Sequence, residues 1–249
     1  MPTKVDLTPP RQSVAAYDDA ARVAAYDAKM EIMHPNRRKM AEIVGAMLPF
    51  PTEAEITLLD LGTGTGFLAA HLLEIFPRAQ VIAVDGATAM VQQAQARLGD
   101  KSRQLTWKTC SFQELAKNGD LPELDAVVSS FALHHLSADE KLVLYRALLP
   151  KLRDRGWFVN ADILIASHID IEARFQTLRQ LGIQQRLREQ TGEEKNLPAI
   201  AAELAELEKQ DGDRPLQLDI DLSLLRQAGF RAVDCFWKET REAVWGGKK

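Results

Sequence analysis

Three glycines at alternate positions, Gly62, Gly64 and Gly66, stand between an apolar run ending at Leu61 and an amphipathic segment opening at Phe67. Lacking Cβ atoms, they let the backbone turn sharply and approach a ligand closely. Taken alone, the pattern also describes a glycine turn joining a strand to a helix with nothing bound. A second signal follows. Asp85 ends the run Val81–Val84, the place from which a carboxylate accepts hydrogen bonds from both hydroxyls of a ribose. The alternative is that Asp85 caps the helix after it. The two signals together indicate a nucleotide-like ligand.

The spacing narrows the choice. A dinucleotide loop places its third glycine one position later and rests a pyrophosphate on the following helix N-terminus. Here the loop is G-x-G-x-G, with Asp60 two residues ahead of Gly62. That acid would repel a pyrophosphate and suits a ligand whose near end carries an ammonium and a sulfonium, as S-adenosylmethionine (SAM) does. Asp60 could instead hold the loop amides as an Asx turn.

These residues need a scaffold. Short apolar runs at Ile56–Leu61, Val81–Val84, Leu105–Trp107, Ala126–Val128 and Trp157–Val159 alternate with amphipathic segments. Such alternation predicts βαβ units in a mostly parallel sheet with helices on both faces. Helices are expected at Phe67–Phe76, stopped by Pro77, and Ala87–Leu98, stopped by Gly99. Ahead of the sheet, Ser13–Met33 lacks glycine and proline and predicts one helix, and Asn36–Leu48 predicts a second, ended by Pro49 and Pro51.

Between His168 and Asp211 the strand signal vanishes. Ile171, Phe175 and Leu178, then Ile200, Leu204 and Leu207, recur at helical spacing. This helical insertion is either a cap over the substrate pocket, at the carboxyl ends of the strands, or a packing pair on the surface. A helix near Asp221–Ala228 and strands near Ala232–Trp237 and Glu242–Trp245, paired as a hairpin, complete a seven-stranded Rossmann-like α/β sheet. The expected division is an N-terminal helical lid over 1–52, a ligand-binding core over 53–166, the cap over 167–216 and a closing unit over 217–249.

Composition sets limits. A chain of 249 residues that is 46% hydrophobic can bury one large α/β core. Its net charge of -4 gives no surplus of positive potential for a phosphate backbone, which argues against free nucleic acid as the main partner. The run Arg37-Arg38-Lys39 reads as a solvated helix face. Cys110 and Cys235, the two cysteines, read as buried thiols in a reducing compartment. The acidic start, with Asp6, Asp18 and Asp19, resembles neither a signal peptide nor a membrane anchor, so a cytoplasmic protein is expected, with a homodimer left open.

LLDLGTGTG, VIAVDGATAM, the CSFQEL segment and LDAVVSSFALHHL resemble the successive motifs of class I SAM-dependent methyltransferases. The resemblance runs from about Tyr17 to the C-terminus and is greatest to small-molecule enzymes of the ubiquinone and menaquinone methyltransferase type; Ala243–Lys248 is similar to their last strand. It implies methyl transfer from SAM to a small-molecule acceptor by in-line displacement, leaving S-adenosylhomocysteine. It further implies that Gly62, Gly64 and Gly66 pass under methionine and ribose, with Asp85 on the ribose and Gly86 and Met90 beside the adenine. The fourth strand is expected to end at Ser129-Ser130, with Ser129 a candidate for cofactor contact. Where the family has an adenine-binding aspartate, this chain has Ser111, whose hydroxyl can still accept, and Phe112 either covers the ring or packs in the core. Tyr17-Asp18 and Tyr26-Asp27 resemble an aromatic-plus-acid signature that closes over SAM.

The segment Phe131–Leu136 falls at the cleft rim, where adjacent His134 and His135 cannot both face the methyl group. His134 is the candidate for acceptor contact or proton removal, against capping or packing. The pair lacks further clustered ligands, so no metal is expected. Two other readings stay open. Other SAM chemistry, such as carboxy-SAM synthesis, would need pocket arginines, for which Arg174 and Arg179 are available; a SAM-binding regulatory module would need no turnover.

Overall fold

The computed structural model describes residues 12–249. The expected polar start lies outside the described residues. Seven strands form one sheet in the order β3-β2-β1-β4-β5-β7-β6. They are β1 (Thr57–Leu61), β2 (Gln80–Asp85), β3 (Leu105–Thr109), β4 (Leu124–Ser130), β5 (Leu152–Ile163), β6 (Arg231–Glu239) and β7 (Glu242–Lys248). β1 to β5 are parallel, and β7 runs antiparallel between β5 and β6. The expected hairpin is present, joined at Thr240-Arg241.

Alternate strand residues feed two cores, as the pleat requires. Leu58, Val81, Ala83, Ala126, Val128, Val159 and Val244 face one side, with α4 (Arg37–Met47) and α5 (Phe67–Ile75) on them. Leu59, Leu61, Ile82, Val84, Val127, Phe158 and Trp245 face the other, under α7 (Phe112–Asn118), α8 (Ala138–Leu148) and α11 (Leu218–Ala228). α6 (Thr88–Leu98) follows β2 and sends Leu98 into the first core. Across the second layer, Lys141 of α8 donates to Asp221 of α11 at 2.8 and 3.0 Å with both side chains sealed from water. Such a pair fixes register between helices more than it adds stability.

Two expectations about boundaries change. β5 extends back to Leu152, because Arg153, Asp154 and Arg155 are exposed on a bulged start that hides the strand period. The single helix expected over 13–33 is three: α1 (Gln12–Ala16), α2 (Ala20–Ala24) and α3 (Tyr26–Met33). Asp19 starts α2 by accepting from the Arg22 amide at 2.8 Å, and Asp18 leaves the helical path to accept from the Ala89 amide at 3.0 Å. The breaks turn Tyr17 and Tyr26 toward the sheet.

The insertion is α9 (Ile169–Thr191) and α10 (Leu197–Asp211). Ile183, Ile200 and Leu204 pack together with Ile32 and Met33 of the α3 region. The stripe expected at Ile171 and Leu178 is not buried, the two being 48% and 40% exposed, because α3 meets the second half of α9 and leaves the first half uncovered.

Candidate active site

The strand order reverses between β1 and β4, and a cleft opens there at the strand carboxyl ends, where open α/β sheets take their ligands. It encloses about 930 Å³ of empty space including open solvent. Its walls come from the ends of four strands: Gly62 to Thr65, Asp85 to Ala87, Cys110 to Gln113, and Ser130 to Ala132. Tyr17, Tyr26 and Arg37 close it from the N-terminal helices.

The glycine loop is shaped by steric need. Gly62, Gly64 and Gly66 all have positive φ, at 68°, 54° and 76°. A Cβ on Gly62 would lie 2.2 Å from that of Ala132, so the loop can sit against the β4 end only as glycine. At Gly64 the nearest atom to an added Cβ is 3.9 Å away, leaving the loop open on its ligand side.

Asp85 lines the cleft and accepts from the Gly64 amide at 2.8 Å and the Ala87 amide at 2.9 Å. Burial raises its pKa. The carboxylate therefore closes an Asx turn just ahead of α6, rather than capping the helix, and pins the loop in the same place from which it would meet a ribose. Asp60 lies beneath the loop and does not line the cleft. It is wholly buried; one oxygen accepts from the Thr63 hydroxyl at 2.7 Å and the other, Oδ1, has no hydrogen-bond partner. Burial and the nearby Asp85 push its pKa to about 7, against the pull of Thr63. A buried acid with a spare oxygen under a glycine cradle fits the cationic end of SAM.

At the other end Ala87, Met90, Cys110, Phe112 and Leu136 give an apolar slot suited to adenine, with Gly86 held against Val14 of the lid. Ser111 lines the slot as the N-cap of α7. Its hydroxyl donates to Glu114 at 2.7 Å and accepts from the Glu114 amide at 3.2 Å, a capping box that already engages the group expected to read the adenine. Ser129 is corrected: its hydroxyl is buried and donates to the Leu61 carbonyl at 2.8 Å, and the next residue, Ser130, lines the cleft instead. Neighbours on a strand point to opposite faces.

Arg37 was expected on a solvated face and is 8% exposed. It donates to Asp27 at 2.7 Å, lies over the Phe67 ring at 4.1 Å and lines the cleft, placing a cation where an α-carboxylate of SAM could be met. Arg38 and Lys39 are exposed as expected; the signal missed was the helical period that turns Arg37 inward with Met40. Asp27 also accepts from the Thr65 hydroxyl at 2.9 Å and from Arg97. The acids beside both tyrosines thus tie the lid to the core.

The histidines face different cavities, as expected of neighbours. His135 lines the cleft; His134 lines a second cavity that shares Tyr17, Tyr26 and Phe131 with it. His134 Nδ1 lies 2.6 Å from Asp162 and its Nε2 3.5 Å from Asp213. Burial lowers its pKa, but the two carboxylates outweigh that and lift it to about 10, so His134 holds a proton at neutral pH and cannot accept one. His135 lies 3.1 Å from Asp213. Burial and the neighbouring His134 hold its pKa below the ordinary range. Asp213 is a third polar group beside the two histidines, all within 4.8 Å, contrary to the expectation that the pair stands apart from other ligands. It was not legible because it comes from the end of the insertion.

Arg179, one of the two arginines set aside for a carboxylated ligand, lines the second cavity and donates to Glu208 at 2.5 Å; Arg174 is exposed. The thiols are half-buried rather than buried, and Cys110 lines the cleft. Among the described residues no helix is long and apolar enough to cross a membrane.

Residues 58–156 match a family model described as a methyltransferase domain. Two relatives are named malonyl-acyl-carrier-protein O-methyltransferase. That of Anoxybacillus flavithermus is 32% identical over 122 residues, 48% of this chain and 42% of the relative. That of Acetivibrio thermocellus is 30% identical over 96 residues, 39% and 32% of the two chains. The chain thus spans less than half the length of these curated relatives. Among solved structures, human N-acetylserotonin methyltransferase with SAM superposes with a TM-score of 0.62 at 19% identity, over 97% of this chain and 60% of that one. An O-methyltransferase family protein from Burkholderia thailandensis gives 0.64 at 17%, over 94% and 63%. The fold is that of the class I SAM-dependent methyltransferases. The match places a methyltransferase domain over residues 58–156.

Proposed function

We propose that the protein is a SAM-dependent methyltransferase acting on an oxygen of a small-molecule acceptor, with S-adenosylhomocysteine as second product. The observation that carries this reading is the glycine cradle pinned by Asp85, in a cleft that shares Tyr17, Tyr26 and Phe131 as a wall with a second cavity lined by His134. The O-methyltransferase names of the relatives support oxygen as the acceptor atom.

Bound SAM supplies an electrophilic methyl group on a sulfonium. Asp85 would hold the ribose, Asp60 balance the cationic end, and Arg37 meet the carboxylate. Tyr17 and Tyr26 from the lid and α10 from the cap exclude water and align the acceptor. For a hydroxyl acceptor, His135 would take the proton, since it faces the cleft, is held in the neutral form, and has Asp213 beside it to steady the imidazolium that forms. An acceptor already ionised would need no base. Cytoplasmic residence is part of the same reading and rests on two thiols that form no disulfide.

Calorimetry with SAM and S-adenosylhomocysteine on wild type and Asp85→Ala, joined to a labelled-methyl assay on a panel of hydroxyl and carboxyl acceptors, tests the proposal. Expected is binding of both ligands, weakened about 10–100-fold in the variant. Equal affinity in the variant removes the role of Asp85. Binding without methyl transfer to any acceptor of the panel favours a regulatory module.

A further inference from the structure

The second cavity does not end at His134. It shares Met33, His34, Ile163 and Arg179 with a third, which is bounded further by Gly182, Arg186, Glu239, Thr240, Arg241 and Glu242. Cleft, middle cavity and outer cavity are therefore neighbours, each sharing a wall with the next, from the glycine loop to the junction of α9 with the β6–β7 turn.

The charged groups of the outer cavity are mostly matched. Arg179 is neutralised by Glu208 at 2.5 Å, and Arg241 by Glu172 at 3.0 Å and Glu208 at 3.5 Å. Glu242 accepts from His34 and from Asn36, each at 2.9 Å. Arg186 differs. Its Nε donates to the Ile32 carbonyl at 2.6 Å, which fixes the plane of the guanidinium; Glu242 and Glu189 act on its charge, but among the described residues neither forms an ion pair with it. Room for its terminal nitrogens comes from Gly182, one helical turn earlier: a Cβ there would lie 2.9 Å from Nη1. An anchored, half-buried guanidinium with unspent donors matches the planar, two-toothed recognition of carboxylate and phosphate.

We infer that the outer cavity is an anion subsite, in which Arg186 takes the carboxylate or phosphate terminus of an elongated acceptor whose methylated end lies beside Phe131. The inference rests on the methyltransferase reading for the reacting end alone; the anion site itself stands on Arg186, Gly182 and Ile32. It restricts the acceptor to molecules long enough to span the middle cavity and carrying an anion at the far end.

Titrations of the full chain with hexanoate, hexyl phosphate and hexanol, followed by calorimetry and by chemical shifts of the Arg186 side chain, test this. The expected result is binding of one or both anions with hexanol at least tenfold weaker; the stronger of hexanoate and hexyl phosphate identifies the terminus. Arg186→Gln should weaken the anion about tenfold or more and leave SAM affinity unchanged. Gly182→Ala keeps the charge and favours the helix, and should weaken the anion as well by displacing the guanidinium. Anion affinity equal in wild type and Arg186→Gln, hexanol binding as tightly as the anions, or no binding of either anion to wild type overturns the subsite. Loss of SAM binding in wild type overturns the methyltransferase reading and leaves the anion result to be judged separately.

Discussion

The hydroxyl of Tyr17, in the N-terminal lid, donates to Asp211 at the end of α10 in the cap at 3.0 Å, across 194 positions of sequence. Arg22 closes the arrangement, donating to both Asp211 oxygens at 2.6 and 2.7 Å and lying 4.5 Å over the Tyr17 ring. Burial, aided by Tyr26 and Asp211, keeps the Tyr17 hydroxyl protonated by raising its pKa. The N-terminal segment and the end of α10 are thereby joined beside the wall shared by the cleft and the middle cavity. Tyr17→Phe removes one hydrogen bond, worth about 1 kcal/mol, and should speed SAM release roughly fivefold in stopped-flow displacement. Asp211→Asn, which loosens Arg22 as well, should speed it more.

Asp60 carries a stability cost. Its folded pKa, about 7, lies above the unfolded carboxylate value, so the ligand-free protein loses stability as pH rises from about 4 through about 7 and stays at the lower level above that. Asp60→Asn should raise the Tm of the ligand-free protein at pH 8, by on the order of 2–4 °C for each kcal/mol relieved. The same change should weaken SAM about tenfold. A lower Tm at pH 8 would show that the charged form supports the loop instead.

The two histidines should part under mutation. His135→Ala is expected to lower kcat for a hydroxyl acceptor roughly 10²–10⁴-fold with SAM affinity retained, and wild-type kcat should fall only when pH drops low enough to protonate His135. His134→Asn should act on stability. The folded pKa of His134 is raised to about 10, so the stabilisation from its ion pairs is fully present below the unfolded value and is lost as pH climbs to about 10. Urea unfolding at pH 6 and pH 10 checks this: the gap between wild type and His134→Asn should be wide at the first and narrow at the second.

Gly62→Ala should be the most damaging single methyl in the loop. It meets Ala132 at 2.2 Å in a backbone with φ of 68°, costing about 1–3 kcal/mol from overpacking, with strain from the left-handed conformation added. Gly62→Ala paired with Ala132→Gly relieves the contact and leaves the strain, so thermal melts of the single and double variants separate the two.

The sheet was legible because parallel strands buried on both faces must be continuous apolar runs, and Ile56–Leu61 and Val81–Val84 are such runs. The position of the glycine loop and of Asp85 at the cleft was legible because a tight strand-to-helix turn demands glycine and the end of β2 falls beside it. What sequence pattern did not carry were groups whose role depends on distant partners. Asp213 lies beside His135 only because the insertion folds back over β4, and Arg37 faces the cleft only because Asp27 and Phe67 meet it there. The engagement of His134 by a carboxylate was set by Asp162, a residue of β5 with no local mark of that contact. Ser129 against Ser130 turned on strand phase, a single-residue matter that motif spacing does not resolve.

The position of β7 bears on the order in which the molecule can assemble. Glu242, at its first residue, receives hydrogen bonds from His34 and Asn36, and Arg241 just before it exchanges backbone and side-chain bonds with Leu164. The floor beneath the middle and outer cavities is therefore stitched from segments some two hundred positions apart. A ribosome-bound chain can form the glycine cradle as soon as β1, β2 and β4 have emerged, yet it has no finished acceptor chamber until the final hairpin slots in beside β5. During synthesis, the cradle is complete before the chamber beside it.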